Sequence, residues 1–402
     1  MNKQQAFSVG REGLIRLMLS RVSFNSQTEV VPLSNSLGRV TAKDIFAQNT
    51  LPNSPASSMD GIAVRFDDFQ GNVPDTGTWC EGDQYLFSNT GVAIDGDYDT
   101  VILIEDVQFD SEGRLTVLAP PKEKGQNIIH CGRIMKQGDL LIPAHFFLGP
   151  GQLGLLASGG ISMVPVITRP KVAIIPTGNE LVPPGVPLPK GKNVESNGVM
   201  INGFVECWGG EPLLYPITRD NPEQLYSVVK DALSKADIVV LNGGSSKGKD
   251  DYALQVLEKV GEVLVYEVDH GPGKHTSFTL ADGKPVLGIV GPAGGAELTA
   301  EWYLHPLVNL YLHQSDRAPA KLEVKLLADA CCHVDFDVYL RVIVEKHNGC
   351  FVATPVDGFK ERLNVSMVEA NALLYLPGGK PYKAGETVQV EMRQPVEWIK
   401  NR

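Results

Sequence analysis

Between Arg169 and Leu312 short apolar runs alternate strictly with helical segments, and that alternation constrains the fold more than any other feature of the chain. KVAIIP (171–176), DIVVLN (237–242) and KPVLGIV (284–290) are almost wholly apolar, as strands are when helices cover both faces of their sheet. GVMINGFVECWGG (198–210), with Ser196 or Asn197 as its cap, has the texture of a helix, and PLLYPI (212–217) that of a strand. NPEQLYSVVKDALSKA (221–236) opens with Asn221 at the N-cap, Pro222 at the first helical position and Gln224 at the third, a capping-box arrangement. DYALQVLEKV continues the helices, EVLVYEV the strands, and ELTAEWYLHPLVNLYL ends the series. Such alternation predicts βαβ units on a parallel sheet, a doubly wound α/β domain over residues 169–316. Ligands of such sheets bind beyond the carboxyl ends of the strands, where backbone N–H groups at helix starts attract anions. Three Gly-containing loops fall there, so the domain is expected to bind a phosphate-bearing small molecule.

The rest of the 402 residues has different textures. Residues 1–45 are mostly helical in pattern, with Leu14, Ile15, Leu17, Met18 and Val22 at helical spacing. Residues 46–134 are rich in Gly, Asp and Pro with short β-like runs, the composition of a small loop-rich β domain. Residues 135–168 contain Gly149-Pro150-Gly151, which suggests one helix and then a strand. From 317 to 402 the texture is β throughout, in KLEVKLLADACC, FDVYLRVIVEK, CFVATPV, ALLYLP and TVQVEM, which predicts a small β-barrel or sandwich.

A net charge of −11 offers no field to attract nucleic acid or an anionic membrane, and no basic stripe reverses it. The longest apolar stretch, Leu153–Ile167, is interrupted by Gly159, Gly160 and Pro165, so no membrane span is expected. The six cysteines form no C-x-x-C unit, and no signal peptide is evident. A cytoplasmic protein with reduced thiols is expected. Cys331-Cys332-His333 invites a metal reading, but adjacent cysteines are poor joint ligands, and core packing is the expectation.

Four loops carry candidate chemistry. Gly243-Gly244-Ser245-Ser246-Lys247-Gly248-Lys249-Asp250 nearly matches a P-loop, but Asp250 stands where a Ser or Thr should bind Mg²⁺. A phosphate would meet that carboxylate only through a cation. A turn, a nucleoside triphosphatase loop and a Gly-rich anion or metal loop are the alternatives, and the last is favoured, with Asp250 and Asp251 able to hold Mg²⁺. Thr177-Gly178-Asn179-Glu180 is either a cap with an exposed Glu or a set of contacts to a polar ligand or its metal. In Gly271-Pro272-Gly273-Lys274 the glycines serve the turn, and Lys274 offers a point charge for phosphate. Ser58-Met59-Asp60-Gly61 is by itself a turn.

Taken together these loops resemble the MoeA/gephyrin E-domain molybdenum insertases. Leu51-Pro52 through Ser58-Met59-Asp60-Gly61 resembles that family's "LP…SAMDGYA", and Asn89-Thr90-Gly91 its "MTGA". Pro176–Leu181 is similar to "STGDEL", Glu195-Ser196-Asn197 to "DSN", and Gly243 through Tyr252 to "SGGVSVGDYDY". Pro272-Gly273-Lys274 resembles "PGKP", and Ser366-Met367 with Ala370–Leu374 resembles "SM..ANGLL". The resemblance implies four domains: a discontinuous one from 1–45 and 135–168, the loop-rich β domain 46–134, the molybdopterin-binding α/β domain 169–316, and a C-terminal β-barrel 317–402.

It further implies a molybdopterin molybdenumtransferase acting as a homodimer. Its substrates would be adenylylated molybdopterin, a pterin nucleotide, and molybdate, with Mg²⁺ assisting release of AMP. Asp60, Glu180 and Asp251 then fall on catalytic positions, and Asp60, Glu180, Asp250 and Asp251 on metal-holding ones. Thr90, Thr177, Gly243, Gly244, Ser245, Lys274, Arg341 and Ser366 fall on ligand-binding ones.

The chain is a diverged member on this reading. The family's "NIRRxGED" is here Asn127-Ile128-Ile129-His130-Cys131-Gly132-Arg133-Ile134, and its "LPGNPVS" has become Val290-Gly291-Pro292-Ala293-Gly294-Gly295 without the Asn. The alternative is a non-catalytic or regulatory molybdopterin-binding paralogue with an altered metal and molybdate site. A phosphotransferase using the near-P-loop is the third reading.

Overall fold

The computed structural model describes residues 9–94, 96–243, 252–316, 318–356 and 362–400. The chain divides into two compact units, one spanning Thr28–Ile167 and the other joining the segment up to Gln27 to everything from Thr168 onward.

In the second unit a six-stranded sheet runs in the order Glu211–Leu214, Lys171–Pro176, Ile238–Asn242, Lys284–Ile289, Ser277–Ala281, Glu262–Val265. The first four strands are parallel, and Ser277–Ala281 enters antiparallel to both neighbours. Side chains alternate between faces along each strand. Ala173, Ile175, Val239 and Leu241 pack against the helices Pro222–Lys235 and Tyr252–Val260, through Leu225, Val229, Val256 and Leu257. Full burial of each such aliphatic side chain contributes roughly 1.5–3 kcal/mol. Val172, Ile174, Ile238 and Val240 are equally buried, so the sheet is covered on both sides, as its apolar strands required. Asn221 caps its helix by accepting from the Gln224 N–H at 2.9 Å.

The C-terminal strands close a five-stranded barrel: Asp337–His347, Cys350–Pro355, Lys321–Leu326, Thr387–Met392, Ala372–Leu376, and back to Asp337–His347. Val388, Val390 and Met392 point into its core, alternating with Thr387 and Gln389 outside. His270–Gly271, from the α/β region, adds a short parallel strand to the barrel at Asp337–Val338.

The Thr28–Ile167 unit carries a three-stranded antiparallel sheet, Tyr85–Ser88, Gly61–Val64 and Thr100–Leu103, over a core of Ile62, Val64, Phe69, Ile102, Leu115 and Val117. It also holds the helix Pro150–Ser158, followed by the strand Met163–Ile167.

Three expectations need correction. Residues 9–45 are not mostly helical: after the helix Arg11–Arg21, Thr28–Pro32 is a strand paired with Met163–Ile167, because its β-branched Thr-Glu-Val-Val suits an extended ladder. The α/β sheet is not purely parallel, because Asp282-Gly283 turns the chain straight back and forms a hairpin instead of a crossover. Of Cys331-Cys332-His333 only Cys332 packs against the barrel core, half-buried with its thiol on the Gly379 carbonyl, while Cys331 is exposed. Among the described residues no group of three or more metal-ligating side chains converges, and no helix is long and apolar enough to cross a membrane.

Candidate active site

The carboxyl ends of the parallel strands open into a cavity of about 440 Å³. Thr177 and Glu180, Glu195 and Asn197, Asn242 and Gly243, and Gly291–Ala293 form its walls. Three of these walls follow the apolar strands Lys171–Pro176, Ile238–Asn242 and Lys284–Ile289, so the sheet's own register delivers them to one edge, and Glu195 and Asn197 join them from the start of the helix Asn197–Cys207.

The floor is an amide network. Asn197 Nδ2 donates to Asn242 Oδ1 at 3.1 Å and to the Gly291 carbonyl at 2.7 Å. Asn242 Nδ2 donates to the carbonyls of Val290 and Ile289 at 2.9 and 3.3 Å. The loop that follows Ile289 is thereby fixed by two buried side chains from other elements. Glu195 accepts from the Gly198 N–H at the start of the Asn197–Cys207 helix, where a carboxylate also complements the helix dipole. Gly243 has a structural reason to be glycine: its φ is +95°, and a Cβ there would lie 2.5 Å from the Thr177 carbonyl oxygen.

Two polar atoms of this floor, Thr177 Oγ1 and Asn197 Oδ1, are fully buried and make no hydrogen bond among the described residues. An orphaned buried polar atom costs roughly 1–3 kcal/mol, so two in one cavity mark where a ligand's donors would be satisfied. The edge is rich in acceptors, since Glu180 adds an exposed carboxylate folded back over Gly178.

Sequence reasoning missed Asp220, which stands beside this edge: its Oδ2 accepts from the Asn179 N–H at 3.0 Å. The available signal was position, as Asp220 closes the segment after the Glu211–Leu214 strand, immediately before the N-cap Asn221. Asn242 was equally findable as the polar end of an apolar strand. Gly244, Ser245, Asp250 and Asp251, and with them the near-P-loop, lie outside the described residues.

Asp60 and Thr90 belong to the other unit, and the structure brings their two motifs together. Asp60 Oδ1 accepts from the Thr90 N–H at 2.8 Å and from its hydroxyl at 3.1 Å. Gly61 is required there, because a Cβ would lie 1.8 Å from the Ile102 carbonyl oxygen. The altered segment Ile128–Ile129 is the neighbouring strand, paired with Ala56–Ser57.

Arg341 and Ser366 meet as well. Arg341 donates to the Ser366 carbonyl at 3.1 Å, to the Gly294 carbonyl at 2.8 Å and to Glu297 at 2.7 Å. It thus holds the start of the helix Ala293–Thr299, whose Ala293 lines the cavity. Burial pulls the Arg341 guanidinium below its ordinary pKa, against the opposing charge of Glu297. The 272–273 turn packs on the same helix start, with Gly295 placed so that a Cβ would touch Pro272 at 3.7 Å. Lys274 extends over the Phe336 ring, 4.6 Å from its centroid.

Three family models match the chain: "MoeA N-terminal region (domain I and II)" over residues 8–160, "Probable molybdopterin binding domain" over 173–309, and "MoeA C-terminal region (domain IV)" over 332–392. The chain is 31% identical over 384 residues to the molybdopterin molybdenumtransferase of Bacillus subtilis (strain 168), covering 90% of this chain and 89% of the relative. It is 30% identical over 398 residues to that of Staphylococcus aureus (strain Mu50 / ATCC 700699), covering 94% of each. The crystal structure of a molybdopterin biosynthesis moeA protein from Pyrococcus horikoshii is similar at a TM-score of 0.78 and 27% identity, covering 96% of this chain and all of the other.

Proposed function

The chain belongs to the molybdopterin molybdenumtransferase (MoeA) family, and we propose that it inserts molybdenum into adenylylated molybdopterin and releases AMP through the cavity at the carboxyl edge of its α/β sheet. The observation that carries this reading is the pair of buried polar atoms, Thr177 Oγ1 and Asn197 Oδ1, that have no hydrogen-bond partner among the described residues, in a cavity with Glu195 and Glu180. An acceptor-rich wall suits the amino and ring N–H donors of a pterin. A hard cation suits the same carboxylates.

Glu180, with Asp250 and Asp251, would hold Mg²⁺ on this reading, and Asp220 adds a carboxylate beside Asn179. When bound, the ion supplies positive charge to the phosphoanhydride oxygens. This chain's own groups do the rest. Thr177 and Asn197 orient the ligand, and the Asn197–Asn242 amides hold the 290–293 loop rigid. Arg341 sets the start of the Ala293–Thr299 helix, acting as a positioning residue. Lys274 and Ser366 serve the phosphate or oxyanion side of the ligand. Preorganisation of this kind acts without reorganisation cost at the moment of reaction. The reading includes a cytoplasmic homodimer, in which the exposed Asp60–Thr90 corner of one copy serves the α/β edge of the other.

Equilibrium binding of adenylylated molybdopterin tests the site. Asn197→Ala should weaken binding about tenfold or more, the effect of losing one buried hydrogen-bond partner. Wild-type affinity in a folded Asn197→Ala protein would remove the cavity from the reading.

A further inference from the structure

Behind the cavity wall Arg341 belongs to an ionic cluster whose other members, Glu297, Arg393 and Glu301, the proposed reaction does not use. Glu297 is almost fully buried, and its two oxygens serve two different arginines. Oε2 accepts from Arg341 Nη2 at 2.7 Å, and Oε1 from Arg393 Nη2 at 2.7 Å. Arg393 continues to Glu301, with contacts of 2.6 and 3.3 Å. Two cations and two carboxylates therefore balance in a row that starts at the Gly294 carbonyl, one residue from the cavity-lining Ala293.

Two guanidiniums converging on one bridging anion, one donor to each oxygen, is the arrangement by which proteins hold phosphate and other oxyanions. Here the bridging anion is the chain's own side chain. A buried cation pair stripped of its counter-ion would be strongly unfavourable, so the position must be filled. Glu297 fills it permanently, and does so on the helix whose first turn borders the ligand cavity.

Resting on the molybdenum-insertion reading, we propose that Glu297 is a specificity-determining residue: its carboxylate closes an arginine-pair oxyanion seat behind the cavity wall. Free phosphate and molybdate-class oxyanions are thereby kept from this seat, and ligand anions are confined to the cavity in front of the helix. Arg341 and Arg393 then contribute rigidity to the wall while their charge is already satisfied.

The test is calorimetric titration of the full-length protein with inorganic phosphate and, separately, sodium molybdate. Glu297→Ala removes the carboxylate and vacates the seat while leaving both guanidiniums, and should bind both anions at least about tenfold more tightly than wild type. Adding Arg341→Lys to that variant removes the guanidinium fork and should cancel the gain. If Glu297→Ala proves unable to fold, Glu297→Ser also withdraws the carboxylate and leaves both guanidiniums in place, and should still exceed wild type in phosphate affinity. Wild-type anion affinity in either folded variant overturns the proposal. A gain confined to molybdate would also overturn it, since the seat's chemistry is common to both oxyanions. AMP release by the wild-type protein is scored separately, so a failed insertion reading and a failed oxyanion seat give different results.

Discussion

The carboxyl edge of the α/β sheet and the Asp60–Thr90 corner carry the same kinds of residue in opposite states. At the edge, Thr177, Glu195, Asn197 and Asn242 are buried and cross-tied around two polar atoms that have no partner among the described residues. At the corner, Asp60 and Thr90 are exposed and satisfy one another. A rigid, partly unsatisfied pocket is organised to recognise a ligand. A solvated carboxylate on a turn costs nothing to leave unused and gains its role only when something is brought to it. The buried residues of the edge should therefore couple function to stability, whereas its exposed Glu180 and the corner should not.

The largest effect that would break this contrast is catalytic. Glu180→Gln should lower the rate of AMP release by about 10²–10³-fold, the scale of removing one electrostatic contact to the reacting group. Its melting temperature should stay unchanged, because Glu180 is exposed. A rate within threefold of wild type would take Glu180 out of the site.

Next in size is an acid effect confined to the unit that holds the edge. Burial, and then the nearby Arg11 charge, push the His270 pKa down to about 4. Since the unfolded histidine titrates near 6.5, the unfolded chain takes up a proton between those values and the folded one does not. Stability contributed by neutral His270 is thus complete above pH 6.5 and is lost as the pH falls toward 4, by about 3 kcal/mol in all. The described histidines of the other unit, His130 and His145, are exposed. Thermal melts from pH 7 to pH 4 should show the α/β and barrel unit weakening first. The slope should flatten in His270→Asn.

Smaller still is the amide tether. Asn242→Ala removes donors to two carbonyls and the acceptor for Asn197, and should cost about 1–3 kcal/mol in chemical denaturation, together with weaker ligand binding. A loss of ligand binding with no loss of stability would make the network a ligand contact and not a scaffold. Smallest is Asp60→Asn, which should leave the melting temperature within error while reducing AMP release.

Much of this architecture was legible because period and composition are local properties. The apolar runs at 171–176, 238–242 and 284–289 could only be doubly covered strands, and the five β-like stretches after Asp316 became the five barrel strands. The Thr28–Pro32 strand was hidden because its partner, Met163–Ile167, lies some 135 residues away, and a strand of five residues carries too little periodicity to declare itself. Single loops of the site were visible as glycine-rich turns. What joined Asp60 to Thr90, or Asn197 to Asn242, was tertiary, and no spacing announces a hydrogen bond across 30 or 45 residues. Asp220 was passed over because an acidic residue before an N-cap reads as ordinary helix punctuation. Arg341 was singled out as an anion contact, and the structure gives it an internal carboxylate partner.

Turnover at the α/β edge is open to one direct measurement. The purified protein is supplied with adenylylated molybdopterin, Mg²⁺ and molybdate, and AMP is quantified alongside molybdenum cofactor able to activate an apo-molybdoenzyme. AMP and active cofactor should appear together, in equal amounts and dependent on molybdate. Tight binding of the nucleotide with no release of AMP would contradict turnover, and would assign the chain to the non-catalytic molybdopterin-binding alternative.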